Sequence, residues 1–178
     1  MKKIKIKNGE LLEILPATLE DAEDHARYIN IVKNETRFLS LDSKDGESTV
    51  NSQSKWINSS ILDNRKIILM AKINGEIVGC GNVSPIYNST RFYHRCEIGI
   101  SVKKEFWGLG IASEILKQLI VFAKEQNYEQ MELQVVEENI PAINLYKKFG
   151  FYETGFIKNG MKYTDGTYTK LILLQKDL

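Results

Sequence analysis

The sequence has 178 residues, the length of one domain or of two very small ones. Hydrophobic residues make up 43% and charged residues 26%, which is typical of a globular chain and excludes a disordered or collagen-like one. With 24 Lys and Arg against 23 Asp and Glu, the net charge of +1 gives no electrostatic footprint for extended nucleic-acid binding. No apolar run is long enough to predict a membrane-spanning helix.

The first half of the chain predicts one strand, two helices and a hairpin. Thr18 precedes Asp21 by three residues, which is typical of a helix start because a hydroxyl and a carboxylate then satisfy free N–H groups. Asn74-Gly75 lies between two apolar runs and is a strong hairpin signal. The predicted elements are a strand at 11–15, a helix at 18–32, a loop at 40–49, a helix at 50–62, and strands at 66–73 and 76–83.

The second half predicts a long strand, two helices and three further strands. Apolar residues recur at helical spacing between residues 109 and 126, and Gly150 ends a shorter helix. The predicted elements are a strand at 91–102, a helix at 109–126, a strand at 129–136, a helix at 140–149, and strands at 151–156 and 167–175. No repeat or linker divides the chain, so we predict one α+β domain over residues 1–178. Its mixed, mostly antiparallel central sheet would have about six to seven strands, with helices on both faces.

Cysteine and histidine usage indicates the compartment. Cys80 and Cys96 are too few for a disulfide scaffold, and with His25 and His94 they do not have the spacing of a metal site. Free thiols fit a reducing compartment, and the basic N-terminus lacks the apolar core of a secretory signal. We therefore expect a cytoplasmic protein without a bound metal.

A glycine-containing loop joins the long strand to the helix that follows it. The loop reads Trp107-Gly108-Leu109-Gly110, and its small residues let the backbone approach a ligand. The free N–H groups of the helix start suit a phosphate, although the same pattern is also typical of a tight strand-to-helix turn. An ordinary nucleotide-binding domain is disfavoured, because the chain has no G-x-x-x-x-G-K-S/T motif and no βαβ unit opens it.

A second motif lies in the short helix. Asn139, Ala142 and Tyr146 are spaced so that they share one helix face. Pro141 suits the first turn and Gly150 the C-terminal end. Taken alone, Tyr146 is more typical of a core aromatic residue whose hydroxyl meets a backbone carbonyl.

Together the two segments resemble the GCN5-related N-acetyltransferase (GNAT) superfamily. The glycine loop is similar to its pyrophosphate-binding motif Q/R-x-x-G-x-G/A, and residues 139–151 are similar to N-x-x-A-x-x-L-Y-x-K-x-G-F. Residues 15–22 also resemble the opening of many members. Trp107 departs from the pattern, since the family usually has Gln or Arg there, and more of the phosphate contact would fall to backbone amides. The Trp-Gly pair resembles the branch with ribosomal-protein N-terminal and polyamine acetyltransferases.

The resemblance implies that acetyl-CoA binds as cosubstrate between two parting parallel strands. The strand 97–102 would separate from 131–136 at one end, driven by a bulge near 99–102, and the pantetheine arm would lie in the gap. The diphosphate would lie on the glycine loop and helix start. The implied binding residues are Ile100, Val102, Trp107, Gly108, Leu109, Gly110, Ile111, Ala112, Ser113, Asn139 and Ala142.

The implied reaction is direct attack of an amine on the thioester. An unpaired backbone N–H at the bulge would stabilise the oxyanion. Tyr146 would protonate the departing thiolate, and Glu97 would accept the amine proton directly or through water. Strand alternation puts Glu97 on one face with Arg95, so Glu97 could instead be a structural ion-pair partner. Cys96 lies on the opposite apolar face, which argues against an acetyl-cysteine, and His94 is a weaker alternative base.

These features predict an N-acetyltransferase acting on the primary amine of a small metabolite, a polyamine, an amino acid or a protein N-terminus. The alternative is a non-catalytic acyl-CoA-binding regulatory module, because fold alone does not determine function. Substrate selection would fall to the two N-terminal helices with the loop between them, and to the loops 85–94 and 157–165. Acidic residues at 20–24 and 42–47 could attract a cationic amine, but they are also typical of solvated surface. We expect no nucleic-acid or membrane partner, and edge strands would be compatible with a homodimer.

Overall fold

An eight-stranded sheet runs through the computed structural model, which describes residues 3–178. The strands are β1 Ile4–Lys5, β2 Leu11–Pro16, β3 Ile67–Ile73, β4 Glu76–Pro85, β5 Arg95–Val102, β6 Gln130–Val136, β7 Tyr152–Lys162 and β8 Tyr168–Asp177. Their order is β1-β2-β3-β4-β5-β6-β8-β7, and only the β5–β6 pair is parallel. The mixed α+β class is confirmed. The sheet exceeds the predicted strand number because β1 has only two residues, too few for a periodic pattern.

Four helices cover the two faces of this sheet. They are α1 Ala22–Glu35, α2 Val50–Ile61, α3 Ile111–Glu125 and α4 Ile140–Lys148. On one face, Tyr28 of α1 and Ile57 of α2 pack with Met70 of β3 in one apolar cluster. On the other face, Ile115 of α3 and Tyr146 of α4 belong to a larger cluster. The predicted placement of helices on both faces is therefore confirmed.

The first helix begins as its sequence predicts and ends later. Thr18 N–H donates to the Asp21 carboxylate at 2.8 Å, and a short 3-10 turn, Leu19–Asp21, leads into α1. The helix continues to Glu35, beyond the predicted end near residue 32. The Glu35 carboxylate accepts a hydrogen bond from Lys104 N–H at 2.8 Å. The end of α1 is thus attached to the segment that follows β5.

Two predicted strands have different bounds in the structure. The strand predicted over 91–102 begins only at Arg95, since Thr90–Phe92 is a 3-10 turn whose Phe92 ring packs edge-on against Tyr87 at 4.8 Å. The strand predicted over 151–156 continues to Lys162 as β7. Its second half pairs irregularly with β8, with a register shift between Ile157 and Met161, so a clean alternating pattern is missing from the sequence.

The strands β5 and β6 pair over three residues and then separate. The last pair is Glu97↔Glu132, although the strands run on to Val102 and Val136. The predicted parting of the two strands is therefore present. On its other edge, β6 stays paired with β8 along all of its seven residues.

The predicted bulge near residues 99–102 is wrong. The β4–β5 register is unbroken from Pro85↔Cys96 to Gly79↔Val102. A register shift occurs instead in the neighbouring pair, between β3 and β4 at Ala71/Lys72. The separation of β5 from β6 therefore needs no extra residue in β5 itself.

Candidate active site

The gap between β5 and β6 presents backbone groups without a strand partner. Lys103 N–H donates to Val78 C=O at 2.9 Å, and such bonds recur at every second residue of an antiparallel pair. Because Lys103 directs its N–H toward β4, Ser101 and Gly99 do the same, and the N–H and C=O groups of Ile100 and Val102 point away from β4. These groups face the gap, where no pairing with β6 remains. The geometry suits the predicted pantetheine contacts of both residues, whose binding role stays a prediction.

Trp107 interacts with the strand end through its indole. Its Nε1–H donates to Val102 C=O at 2.7 Å, and the side chain is about half exposed. One of the backbone acceptors at the gap is therefore already occupied, which leaves the Val102 N–H and the Ile100 groups. Trp107, predicted as a cofactor contact, holds the glycine loop against the end of β5.

The glycine loop leaves an open space before α3. Gly108 and Gly110 have φ values of +78° and +95°, and a Cβ at either position would meet no atom within 4 Å. Gly110 precedes α3 without a side-chain cap, and Glu114 N–H makes the first helical bond, to Gly110 C=O at 3.1 Å. The preceding N–H groups therefore have no helical partner. They belong to Ile111, Ala112 and Ser113, the residues predicted to hold the diphosphate.

Two further groups help to define this phosphate cradle. Leu109, also a predicted contact, uses its C=O to accept a hydrogen bond from Lys7 N–H at 3.4 Å, which ties the glycine loop to the N-terminal segment. Glu114 is the one acidic residue in the first turn of α3, and it pairs with Lys117 at 2.6 Å. The helix start therefore keeps the positive character that an anion requires.

Asn139 caps α4 and retains a free donor. Its Oδ1 accepts a hydrogen bond from Ala142 N–H at 3.3 Å, and Pro141 lies in the first turn as predicted. Its Nδ2 makes no hydrogen bond within residues 3–178. That amide can therefore donate to a ligand, as predicted for the pantetheine arm, while the half-buried Ala142 packs against the core.

Tyr146 combines a buried ring with an unpaired hydroxyl. The residue is only 7% exposed, and its ring packs edge-on against Phe151 at 5.5 Å. Burial raises the pKa of the phenol to about 12, so the hydroxyl stays protonated. Across the described chain it meets no backbone carbonyl, which disfavours the purely structural interpretation. A protonated hydroxyl in this position can donate to a leaving group.

Glu97 is not the ion-pair partner of Arg95. Arg95 donates from Nε and Nη2 to the two oxygens of Glu132, at 2.5 and 2.7 Å. Within residues 3–178, Glu97 forms no salt bridge. Partial loss of water raises the pKa of its carboxyl, a hydrogen bond from Ser84 opposes the shift, and the charge of Glu132 adds to it. The carboxylate is thus free to accept a proton, although its role as base stays a prediction.

The two other nucleophile or base candidates lie away from the gap. Cys96 is fully buried in the core, and burial raises the pKa of its thiol to about 12, so it is neither exposed nor ionised. His94 precedes β5 at the closed end, where its C=O accepts hydrogen bonds from the N–H groups of Glu129 and Gln130. The structure therefore does not bring either residue to the open end of the strands.

A groove crosses the sheet on the face that carries Glu97. Its volume is about 780 Å³, and its lining residues are Ile86, Tyr87, Asn88, Ser89, Phe92, Arg95, Glu132, Gln134, Ile157 and Leu173. Glu97 adjoins it, because it pairs with Glu132 and points to the same face. The sequence prediction includes neither Glu132 nor Gln134, although polar residues at every second position of a central strand are a usable signal.

Neither a membrane segment nor a metal cluster is found among residues 3–178. No helix there is both long and apolar enough to cross a bilayer. No group of three or more His, Cys, Asp or Glu side chains comes together as a metal site.

The fold and the gap define a protein of the acyl-CoA N-acyltransferase type. The family model for the acetyltransferase (GNAT) family matches residues 21–151. A GNAT-family acetyltransferase from Streptococcus pneumoniae superimposes with a TM-score of 0.89 at 29% identity, over 94% of this chain and 99% of that one. The chain belongs to the GNAT acetyltransferase family.

Other similar proteins bear related names. A Salmonella typhimurium protein, yncA, solved with its cofactor acetyl-CoA, has a TM-score of 0.84 at 19% identity and shares the fold over 94% of each chain. The L-amino acid N-acetyltransferase AaaT of Escherichia coli is 31% identical over 56% of this chain and 64% of its own length. An uncharacterized N-acetyltransferase of Dictyostelium discoideum is 40% identical over 44% of this chain. The match spans 37% of that protein, so in both curated relatives it covers less than two thirds of their length.

Proposed function

We propose that the protein is an N-acetyltransferase that moves the acetyl group of acetyl-CoA to a primary amine by direct attack. The observation that carries this proposal is the opening of β5 from β6 between two different surfaces. The groove with Glu97 lies on one face, and α4 with Tyr146 lies on the other. An amine and a thioester can therefore meet at the open end from opposite sides.

The residues around the gap fit acetyl-CoA by the character of their unpaired groups. The N–H groups of Ile100 and Val102 can bind the amide carbonyls of a pantetheine arm as a neighbouring strand would. The uncapped start of α3 offers N–H groups and a positive dipole end to the diphosphate. The Asn139 amide supplies a further donor, since only its oxygen is used as a hydrogen-bond partner in the part of the chain that the structure describes.

The chemistry requires a proton to leave the amine and another to reach the sulfur. The nitrogen forms a bond to the acetyl carbon as the carbon–sulfur bond breaks. Glu97 takes the amine proton through a water molecule, and Tyr146 gives its hydroxyl proton to the thiolate and regains one from solvent. Each group is in the protonation state that its role needs, because a carboxylate is ionised at neutral pH and the buried phenol is not.

The names of the relatives support an amine acceptor. Among the similar proteins are the L-amino acid enzyme of Escherichia coli and an N-alpha-acetyltransferase of Sulfurisphaera tokodaii, which is 32% identical over 54% of this chain and 62% of its own length. The alternative, a module that binds acyl-CoA without turnover, leaves the unpaired hydroxyl of Tyr146 without a role. We therefore favour the enzyme.

The test measures free-thiol release from acetyl-CoA across a panel of amines. We expect turnover with at least one amine. A Glu97→Gln variant should lower turnover by at least about 100-fold, the usual contribution of a general base, with acetyl-CoA binding nearly unchanged. Glu153→Gln, an exposed carboxylate on β7, is the matched control and should keep full activity. Binding of CoA without turnover of any amine would contradict the proposal and favour the binding module.

A further inference from the structure

We propose that the acceptor is the α-amine of a peptide or protein N-terminus whose first side chain is apolar. This inference rests on the acetyltransferase function proposed above and names the substrate of the same site. Three features of the groove beside Glu97 support it. They are the shape and apolar walls of the groove, the charges along its floor, and the strength of the available base.

The groove is longer than a small amine needs and has apolar walls. Its volume of about 780 Å³ lies in the upper part of the range for sites that hold drug-sized ligands. Tyr87 and Phe92 form one wall as an edge-to-face pair, and Ile157 and Leu173 form the other. It extends from the loop before β5 across four strands to β7, which suits several residues of an extended chain.

The charges of the floor disfavour a free amino acid. Among residues 3–178, Arg95 is the one cationic residue that lines the groove, and Glu132 engages two of its nitrogens. The carboxylate of a free amino acid would have no partner there, because the charge of Arg95 is already balanced by Glu132. A peptide has a neutral amide at that position, for which the polar side chains of Asn88 and Gln134 offer hydrogen bonds.

The base favours an α-amine over an alkyl amine. Glu97 adjoins the groove and forms no salt bridge within the described chain, and a carboxylate is a weak base even when its pKa is raised. An α-ammonium group has a pKa near 8 and a lysine ammonium near 10.4, so at neutral pH the α-amine is deprotonated about 250-fold more often. A site with this base turns over α-amines at the higher rate.

The experiment compares matched acceptors with the full-length wild-type protein. The acceptors are a tetrapeptide amide beginning with leucine, the same peptide beginning with aspartate, free leucine, spermidine, and an Nα-blocked peptide carrying one lysine. We expect kcat/KM for the leucine peptide to exceed that for each other acceptor by at least about tenfold. Against spermidine and the blocked lysine peptide, this ratio is smaller than the difference in free amine allows. Against the aspartate peptide the apolar wall supplies the preference, and against free leucine the lack of an uncompensated cation in the groove supplies it. Mass spectrometry of the product locates the acetyl group on the α-nitrogen.

A pair of substitutions on one strand tests the groove itself. Ile157→Asp places a charge in the apolar wall, and we expect a loss of at least about tenfold in kcat/KM for the leucine peptide, with KM for acetyl-CoA unchanged. Phe156→Asp is the matched control, because Phe156 is also exposed but lies on the opposite face of β7. It should leave the kinetics at the wild-type level.

The outcomes separate this inference from the proposed function. Faster turnover of free leucine, spermidine or the blocked lysine peptide would overturn the assignment of a peptide α-amine as the acceptor. It would leave the proposed acetyltransferase function intact. Equal rates for the leucine and aspartate peptides, or equal effects of Ile157→Asp and Phe156→Asp, would overturn the apolar wall as the specificity element. CoA binding without turnover of any acceptor would overturn the proposed function as well.

Discussion

Replacement of Tyr146 by phenylalanine separates catalysis from packing. The ring is buried against Phe151, and phenylalanine keeps that contact. Since the hydroxyl makes no hydrogen bond within residues 3–178, its removal should change the free energy of unfolding by less than about 1 kcal/mol. Turnover should fall by about 100-fold, or about 2.7 kcal/mol in the activation free energy, because the thiolate then leaves without a proton.

The assay is thiol release at saturating acetyl-CoA, with a thermal melt of the same preparation. We expect kcat of Tyr146→Phe to fall while KM for acetyl-CoA stays nearly constant and the melting temperature changes little. Tyr128→Phe serves as the control, because Tyr128 is equally buried and its hydroxyl donates to Arg65 C=O at 2.9 Å away from the gap. That variant should lose about 1 kcal/mol of stability and keep its turnover. A Tyr146→Phe enzyme with unchanged kcat, or with kcat and acetyl-CoA affinity reduced in step, would refute the acid role.

Three further predictions concern the cradle, the strand end and the buried histidine. Gly110→Glu should abolish CoA binding in a calorimetric titration through crowding and like charge, whereas Gly166→Glu, at a similarly open positive-φ glycine, should bind normally; binding that survives Gly110→Glu would contradict the phosphate assignment. Trp107→Phe removes the indole hydrogen bond that holds the glycine loop against Val102 C=O, and it should raise KM for acetyl-CoA by about 2- to 10-fold, the value of one hydrogen bond, without a change in kcat. Burial lowers the pKa of His25 below its ordinary 6.5, so the unfolded chain binds a proton that the folded chain does not. The free energy of unfolding should therefore decrease as the pH is lowered below about 6.5, by up to about 1.4 kcal/mol per pH unit. For His25→Gln, the free energy of unfolding measured by denaturant titration at each pH should depend less steeply on pH.

Most of the fold could be predicted because its signals are local. Apolar periodicity, the Asn74-Gly75 turn and Gly150 predict the helices, the hairpin and the end of α4, and all three agree with the structure. The errors involve features that depend on a partner strand. The expected bulge near 99–102 lies in a regular pair, since register is a property of two strands together. Residues 90–92 include the β-branched Thr90 and the aromatic Phe92, which are typical of a strand, but they form a 3-10 turn beside β5.

The candidate site also has one part that the sequence predicts and one part that it does not. The motif residues Asn139, Ala142 and Tyr146 are close in sequence, and one helix holds them. The groups that define the acceptor side come from distant segments. Arg95 and Glu132, for example, are 37 residues apart, and their pairing releases Glu97 from the ion pair that strand alternation alone would allow. Such a choice among partners depends on side-chain geometry that periodicity does not encode.

Amide hydrogen exchange at β5, with and without CoA, tests the central claim most directly. The N–H groups of Ile100 and Val102 should exchange quickly in the free protein and become protected when CoA is added, together with those at the start of α3. The Ser101 N–H, which the same alternation directs toward β4, should be slow in both states and serves as the internal reference. Slow exchange of Ile100 and Val102 before CoA is added, or unchanged exchange after it, would contradict an open gap that receives the pantetheine arm.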